Sequence, residues 1–341
     1  MSCEKAQDTK GETIPPALVF QKSQRPEIIV AYLTNLLENQ DGSNLYYLRA
    51  KAFFEMRNYQ KAQEDIEQAL KQVPGDVDYL LLSAQIKGQI GSIAAGIEDA
   101  KLVESSGLAS TKLYMVLAEL YFNNHEKRRG YSYLIMVQQA GIPLSEKPIF
   151  HFFARQFKAD SLGALQSLSM ADCQHATLAN AYFHYQIGRI PNIQYQKQIL
   201  AELKKYPMDP YLMHSWGDFL VHVGQYIQAE KVYKQVETWL PQHPGMHLRF
   251  AQYYMNRRQF DLAIEQLLKI PSGAFEIRDA LFSRALIQMN VGQKSASIAL
   301  LDSARKIYIS DGRFTALYDR LVGKRIDSNR ISQDTAQQIL P

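Results

Sequence analysis

Cysteine is nearly absent from this chain: Cys3 and Cys173 are the two in 341 residues. Two thiols do not make a disulfide scaffold, so any fold must rest on a packed interior. Long hydrophobic runs are missing as well. Stretches such as Leu113 to Ala118 fall far short of the roughly 18 apolar residues that cross a bilayer. The sequence has no Gly-rich phosphate loop, no His-Glu-x-x-His, no Gly-x-Ser-x-Gly and no Cys-x-x-Cys, which removes the commonest signatures of nucleotide, metal and nucleophilic chemistry. Strong charge of one sign is also lacking. The formal net charge is +4, and the densest basic cluster is Lys127-Arg128-Arg129, with a smaller pair at Lys324-Arg325. A nucleic-acid surface needs a denser basic face than this, so the cluster reads as a solvated loop.

What is present is the composition of a folded globular chain, 46% hydrophobic and 21% charged, long enough for one long or two ordinary domains. A period of about 34 residues runs through it. In the blocks 43–76, 77–110 and 111–144, a small slot reads Ala50, Ala84, Ala118 and a second reads Ala62, Gly96, Gly130. Larger slots read Tyr46, Leu80, Tyr114, then Ile66, Ala100, Leu134 and Ala69, Val103, Val137. The blocks 210–243, 244–277 and 278–311 repeat the scheme, with Gly217, Ala251, Ala285 and Ala229, Ala263, Ser297 in the small slots. Apolar spacing inside a block is helical: Ala62, Ile66, Ala69, Leu70 and Val73 recur at three and four. Pro74-Gly75 and Pro241 then stop helices. The pattern describes two antiparallel helices per block. Small residues let the backbones cross, and a single pair cannot bury its apolar face, so pairs must stack.

These residues carry a family resemblance. Tyr46…Ala50-Lys51-Ala52-Phe53…Tyr59…Ala62…Ile66…Ala69…Pro74 resembles one complete tetratricopeptide repeat, and so does Trp216-Gly217…Leu220…Tyr226…Ala229…Tyr233…Pro241. The second and sixth blocks depart from the pattern, with Lys87 and Gln288 where an aromatic is usual. The resemblance implies an all-α, right-handed superhelical solenoid of antiparallel helix pairs. The expected organisation is a polar tail over 1–24, a capping helix over 25–42, three repeats over 43–144, degenerate helical repeats over 145–209, three repeats over 210–311, and a capping helix and tail over 312–341. The middle segment falls slightly short of two full blocks, so altered loops are expected there. Two solenoid domains joined by a hinge are the alternative, but no Gly/Ser-rich or Pro-rich linker marks one.

The family's inner surface is lined by the first helix of each repeat. Carried over, this implies a partner-binding face with Asn44, Tyr47, Lys51, Phe54 and Glu55 in the first block and Lys112, Met115, Glu119, Phe122 and Asn123 in the third. The fourth block contributes Tyr211, His214, Asp218, Val221 and His222. The fifth gives Leu248, Gln252, Met255 and Asn256, and the sixth Asp279, Phe282, Leu286, Met289 and Asn290. Aromatics and methionines anchor a partner, and amides pair with a peptide backbone. The bland reading is that the apolar members are inter-helix core. Some family members grip a C-terminal carboxylate with a Lys and Asn pair in the first repeat. Tyr47 and Lys51 stand in those slots here, so that mode is not expected.

His214, Asp218 and His222 recur every four residues, which sets them in one stripe along a helix. Such spacing can share a metal ion, with His243 and His247 in the following turn. A polar helix face explains it without metal. The opening Met-Ser-Cys3-Glu-Lys and the polar stretch after it resemble the mature start of a bacterial lipoprotein, with Cys3 as the acylated residue and the periplasm-facing outer membrane as the compartment. The bland alternative is a free thiol in a cytoplasmic tail. The function expected is a non-catalytic scaffold for a protein or peptide partner, without cofactor or nucleic acid, and with membrane contact only through a lipid on Cys3. A metal-binding or catalytic protein and a regulatory or RNA-associated repeat protein remain as alternatives.

Overall fold

The computed structural model describes residues 25–141, 148–158 and 160–323, and within them every regular element is helical. The tails on either side, with Cys3 in the first, lie outside the described residues, so the lipoprotein expectation is not addressed. Two compact units divide at Pro241/Gln242.

The first unit opens with α1 (Pro26–Leu37), followed by three helix pairs: α2 (Ser43–Glu55) with α3 (Tyr59–Gln72), α4 (Val77–Gln89) with α5 (Ile93–Ser105), and α6 (Thr111–Asn123) with α7 (Lys127–Gln139). Starts recur at one fixed spacing, at positions 43, 77 and 111 for the first helices and 59, 93 and 127 for the second. Side chains fix several of these starts. Asp76 accepts from the amides of Asp78 and Tyr79 at 2.9 and 3.0 Å, and the Ser110 hydroxyl accepts from that of Leu113 at 3.2 Å, satisfying amides that the first turn leaves unpaired. The chain then runs through α8 (Pro148–Phe157), short α9 (Ser161–Gln166) and a 3-10 turn over Met170–Gln174. Regular pairs resume with α10 (Ala176–Gln186) and α11 (Asn192–Lys205), then α12 (Pro210–His222) and α13 (Tyr226–Trp239).

The second unit holds α14 (Pro244–Asn256) with α15 (Phe260–Leu268), α16 (Ile277–Asn290) with α17 (Lys294–Ile307), and α18 (Gly312–Val322). Its core gathers Ala285, Leu301, Ala304, Phe314 and Leu317. Phe314 from α18 is fully buried there, so α18 covers a face of the α16–α17 pair.

Close approach explains the small slots. Ala50 and Ala62 are completely buried between α2 and α3. A Cβ at Gly130 would meet the Phe122 ring at 2.6 Å, and one at Gly217 would meet the Tyr233 ring at 2.6 Å. At these two positions an aromatic ring takes the room that an alanine methyl fills elsewhere, whereas a Cβ at Gly96 would meet the Ala84 carbonyl at 2.9 Å. The turn inside each pair uses a left-handed residue. Gly91, Gly224 and Gly292 supply it with φ of 86°, 81° and 82°; Arg57, His125 and Arg258 occupy the equivalent place at 59°, 60° and 58°.

Candidate functional site

In the first unit the last turns of α2, α4 and α6 border one cavity of about 290 Å³. Phe54 and Glu55 come from α2, Gln85, Gly88 and Gln89 from α4, and Val116, Glu119, Leu120 and Asn123 from α6. The wall is completed by a distant part of the chain: Gln174, His175 and Ala176 before and at the start of α10, and Tyr206 after α11.

Arg57 ties this second part to the first. Its Nη1 donates to Asp209 Oδ2 at 2.8 Å, and its Nη2 donates to the carbonyls of Cys173 and Gln174 at 2.7 and 2.9 Å. The guanidinium also lies 3.9 Å from the centre of the Tyr206 ring. Both members of the pair are buried, Asp209 completely. Asp209 further accepts from the amides of Tyr211 and Leu212, which starts α12. The Tyr211 hydroxyl donates to the Gln89 carbonyl, and Thr177 Oγ1 donates to Glu119 Oε1 at 2.9 Å. Tyr59, the first residue of α3, also lines the cavity, as does Arg57; burial pushes the Tyr59 phenol well above its ordinary pKa, so it remains a neutral ring in the wall.

The potential inside favours positive charge. Three helix C-termini face the space, each carrying the negative end of a helix dipole, against two N-termini, those of α3 at Tyr59 and α10 at Ala176. Glu55 is exposed and makes no hydrogen bond or ion pair among the described residues. Glu119 is engaged by Thr177, by Gln89 Nε2 at 3.5 Å and by His175 Nε2 at 3.8 Å. The cation already present, Arg57, is neutralised by Asp209.

Of the residues implied for a partner face, the structure brings Phe54, Glu119 and Asn123 together at this cavity, with Glu55 beside them. Asn44, Tyr47 and Lys51 are half-buried on α2. The Tyr47 ring stacks on Tyr79 with centroids 4.9 Å apart, and burial, helped by Asp78 and Asp76, pushes its phenol up to about 12. Met115 packs against the interior. Leu248 of the second unit is buried, and so are Phe122 and His214 in the first. Phe122 is 5% exposed and stacked on Phe153 at 4.5 Å, and His214 is 2% exposed against the Tyr233 ring. Both belong to the packing between helices, which the even spacing of a first helix does not distinguish from its free side. In the second unit Gln252, Asn256 and Asn290 are exposed and Met255 is half-buried, whereas Phe282 and Met289 pack on its core.

The histidine stripe comes apart in three dimensions. Asp218 accepts from the Tyr233 hydroxyl at 2.7 Å, with His214 Nδ1 at 3.3 Å and His184 Nδ1, from α10, at 3.5 Å. His222 lies elsewhere, exposed and against Gly188. Among the described residues no group of three His, Cys, Asp or Glu side chains is placed to hold a metal ion.

Arg57, His175, Tyr206 and Asp209 are the site residues that the repeat pattern does not single out. Only Arg57 left a signal: it replaces a turn glycine present in three other blocks.

With this geometry in view, the relatives can be stated. The tetratricopeptide repeat model TPR_2 matches residues 43–76, the span of α2 and α3 with the connection that follows. The fold is a tetratricopeptide-type helical solenoid. Among solved structures, a chain of the APC/C hetero-tetramer Cut9-Hcn1 is similar with a TM-score of 0.57 at 12% identity, covering 86% of this chain. This chain spans 58% of the length of that one. The human IFIT1 dimer with m7Gppp-AAAA matches at TM-score 0.45 and 12% identity, over 87% of this chain and 77% of that one. A tetratricopeptide repeat protein from Parabacteroides merdae ATCC 43184 matches at 0.37 and 12%, over 86% and 99%. At such identities the likeness speaks for the fold alone. No curated protein matches the sequence.

Proposed function

We propose that the chain is a non-catalytic scaffold that holds a segment of another protein against the first helices of its repeats. Tetratricopeptide-type solenoids in general serve protein–protein interaction, and the observation that supports the reading here is the cavity at the ends of α2, α4 and α6. It combines an aromatic anchor (Phe54), apolar contact (Val116 and Leu120), three amides (Gln85, Gln89 and Asn123) and an unengaged carboxylate, Glu55. Aromatic and apolar groups supply the anchoring energy, and amides pair with a partner's backbone.

The test is affinity capture from an extract of the source organism. The bait is the full chain, compared with a Phe54→Ala, Asn123→Ala variant of unchanged melting temperature. A partner retained by the full chain and lost from the variant supports the reading. Partners held equally by both exclude this face as the binding surface.

A further inference from the structure

We infer that the cavity between the ends of α2, α4 and α6 and residues 174–176 is a receptor for a cationic side chain, the ammonium or guanidinium of a lysine or arginine in a bound peptide. The inference rests on the scaffold reading and names the chemistry of the partner at one position.

Three features converge on it. The first is the field. The C-terminal turns of three helices end at the cavity against the N-termini of two, α3 and α10, the lining cation Arg57 is paired with Asp209, and Glu55 and Glu119 add two carboxylates, so the sum still favours a cation. The second is the balance of partners. Arg57 is answered by Asp209 and two carbonyls, and Glu119 by Thr177, Gln89 and His175, while Glu55 has no partner among the described residues. The third is shape. Phe54, Val116 and Leu120 present apolar surface beside these acceptors, which suits a side chain with a long aliphatic stem and a charged head.

The protein's own Arg57 shows how this region treats a cation. It adopts a left-handed backbone to reach its place, lies over Tyr206, and meets one carboxylate and two main-chain carbonyls. The adjoining space offers the same kinds of group again: a carboxylate at Glu55, amide oxygens at Gln85 and Asn123, and the Phe54 ring.

The experiment uses the full chain and three capped pentapeptides, acetyl-Gly-Ser-X-Ser-Gly-amide, with X as lysine, arginine or norleucine. Spermidine serves as a free polyamine of the same chemistry. Binding is followed by nuclear magnetic resonance titration, with Glu55→Gln as the variant and its melting temperature as the check on folding. The lysine and arginine peptides should bind saturably, at least about tenfold more tightly than the norleucine peptide, and should lose about tenfold in Glu55→Gln, the expected scale for one charge-assisted contact. Spermidine binding without peptide binding overturns a peptide source. Equal binding by wild type and Glu55→Gln, or binding by no cation, overturns the site. Because no native partner is used, these outcomes stand apart from the capture experiment. A partner captured through Phe54 and Asn123, with no cation bound in the titration, would leave the scaffold reading standing and this inference refuted.

Discussion

Arg57 and Asp209, 152 residues apart in the chain, form an ion pair at 2.8 Å with both side chains buried. The contact joins the turn of the first helix pair to the start of α12, and with the Tyr211–Gln89 and Thr177–Glu119 hydrogen bonds it adds long-range ties to the contacts between neighbouring helices. Removing one partner of such a pair strands a charge in the interior, at a cost of about 3 to 5 kcal/mol. Arg57→Ala should therefore lower unfolding stability by about that amount in urea melts. The loss should shrink in an Asp209→Asn background, where no buried charge is left behind. A loss below about 1 kcal/mol, the scale of an exposed pair, would show that the tie contributes little.

The left-handed turn gives a paired prediction of opposite sign. Arg57 and Arg258 occupy equivalent positions with φ of 59° and 58°. A side-chain-bearing residue pays roughly 1 to 2 kcal/mol for that conformation, and glycine does not. Arg258 is exposed and its side chain engages nothing among the described residues, so Arg258→Gly should stabilise the protein by about 0.5 to 1 kcal/mol. Arg57→Gly relieves the same strain but loses the ion pair, and should be destabilising. If both substitutions move the melting temperature in the same direction, the account of Arg57 as a strained residue held by its partners fails.

The architecture was largely legible in the sequence because packing repeats with the period. Alanine, glycine or serine recurs at the helix crossings of the six regular blocks, and the family match at 43–76 falls on a block where the pattern is complete. The block at 176–209 was hard to read for a physical reason. Its helices start at positions 176 and 192, one full period before those of the next pair at 210 and 226. The two small slots, however, hold Phe183 and Tyr195, both buried and in edge-to-face contact at 5.7 Å, while Ala179 stands in a large slot. Large and small have exchanged places in this block, and α10 packs on α12. Register alone then gives no signal. The candidate site was legible on its first-helix side, at Phe54, Glu55, Glu119 and Asn123. The other side comes from positions 174–176, 206 and 209, which meet α2 through Arg57. No local pattern announces a contact between parts of the chain so far apart in sequence.

Cys173 offers a direct probe of that side. Its side chain is 1% exposed, and burial, with Glu202 adding to it, pushes the thiol up to about 12. The thiolate is the reactive form. In the native protein Cys173 should therefore resist a disulfide reagent from pH 7 to about pH 10, and it should react fully in urea. Since its carbonyl accepts from Arg57, the Arg57→Ala variant should expose the thiol at a measurably faster rate. Rapid labelling of Cys173 in the folded wild type would show that the 3-10 turn opens readily.

Acid sensitivity in the second unit has a local source at Asp311. Its carboxylate accepts from the Arg313 amide at 3.2 Å and from the Arg313 guanidinium at 3.0 and 2.7 Å. The same guanidinium reaches Asp279 at 2.7 Å. The hydrogen bonds from Arg313 hold Asp311 below the usual carboxylate range. A carboxylate whose pKa is lower in the folded than in the unfolded state stabilises the fold above its unfolded pKa, near 4, and loses that contribution as the pH falls through the folded value. Asp311→Asn keeps an acceptor able to cap α18 but cannot titrate. At pH 7 the variant should be less stable than wild type by about 0.5 to 1 kcal/mol, as for a partly exposed charge pair. At pH 3 the difference should narrow, because the wild-type carboxylate is then partly protonated. Thermal melts of both proteins at the two pH values read this directly. A gap that stays constant between pH 7 and pH 3 would mean that Asp311 acts through capping geometry alone and that its charge contributes nothing.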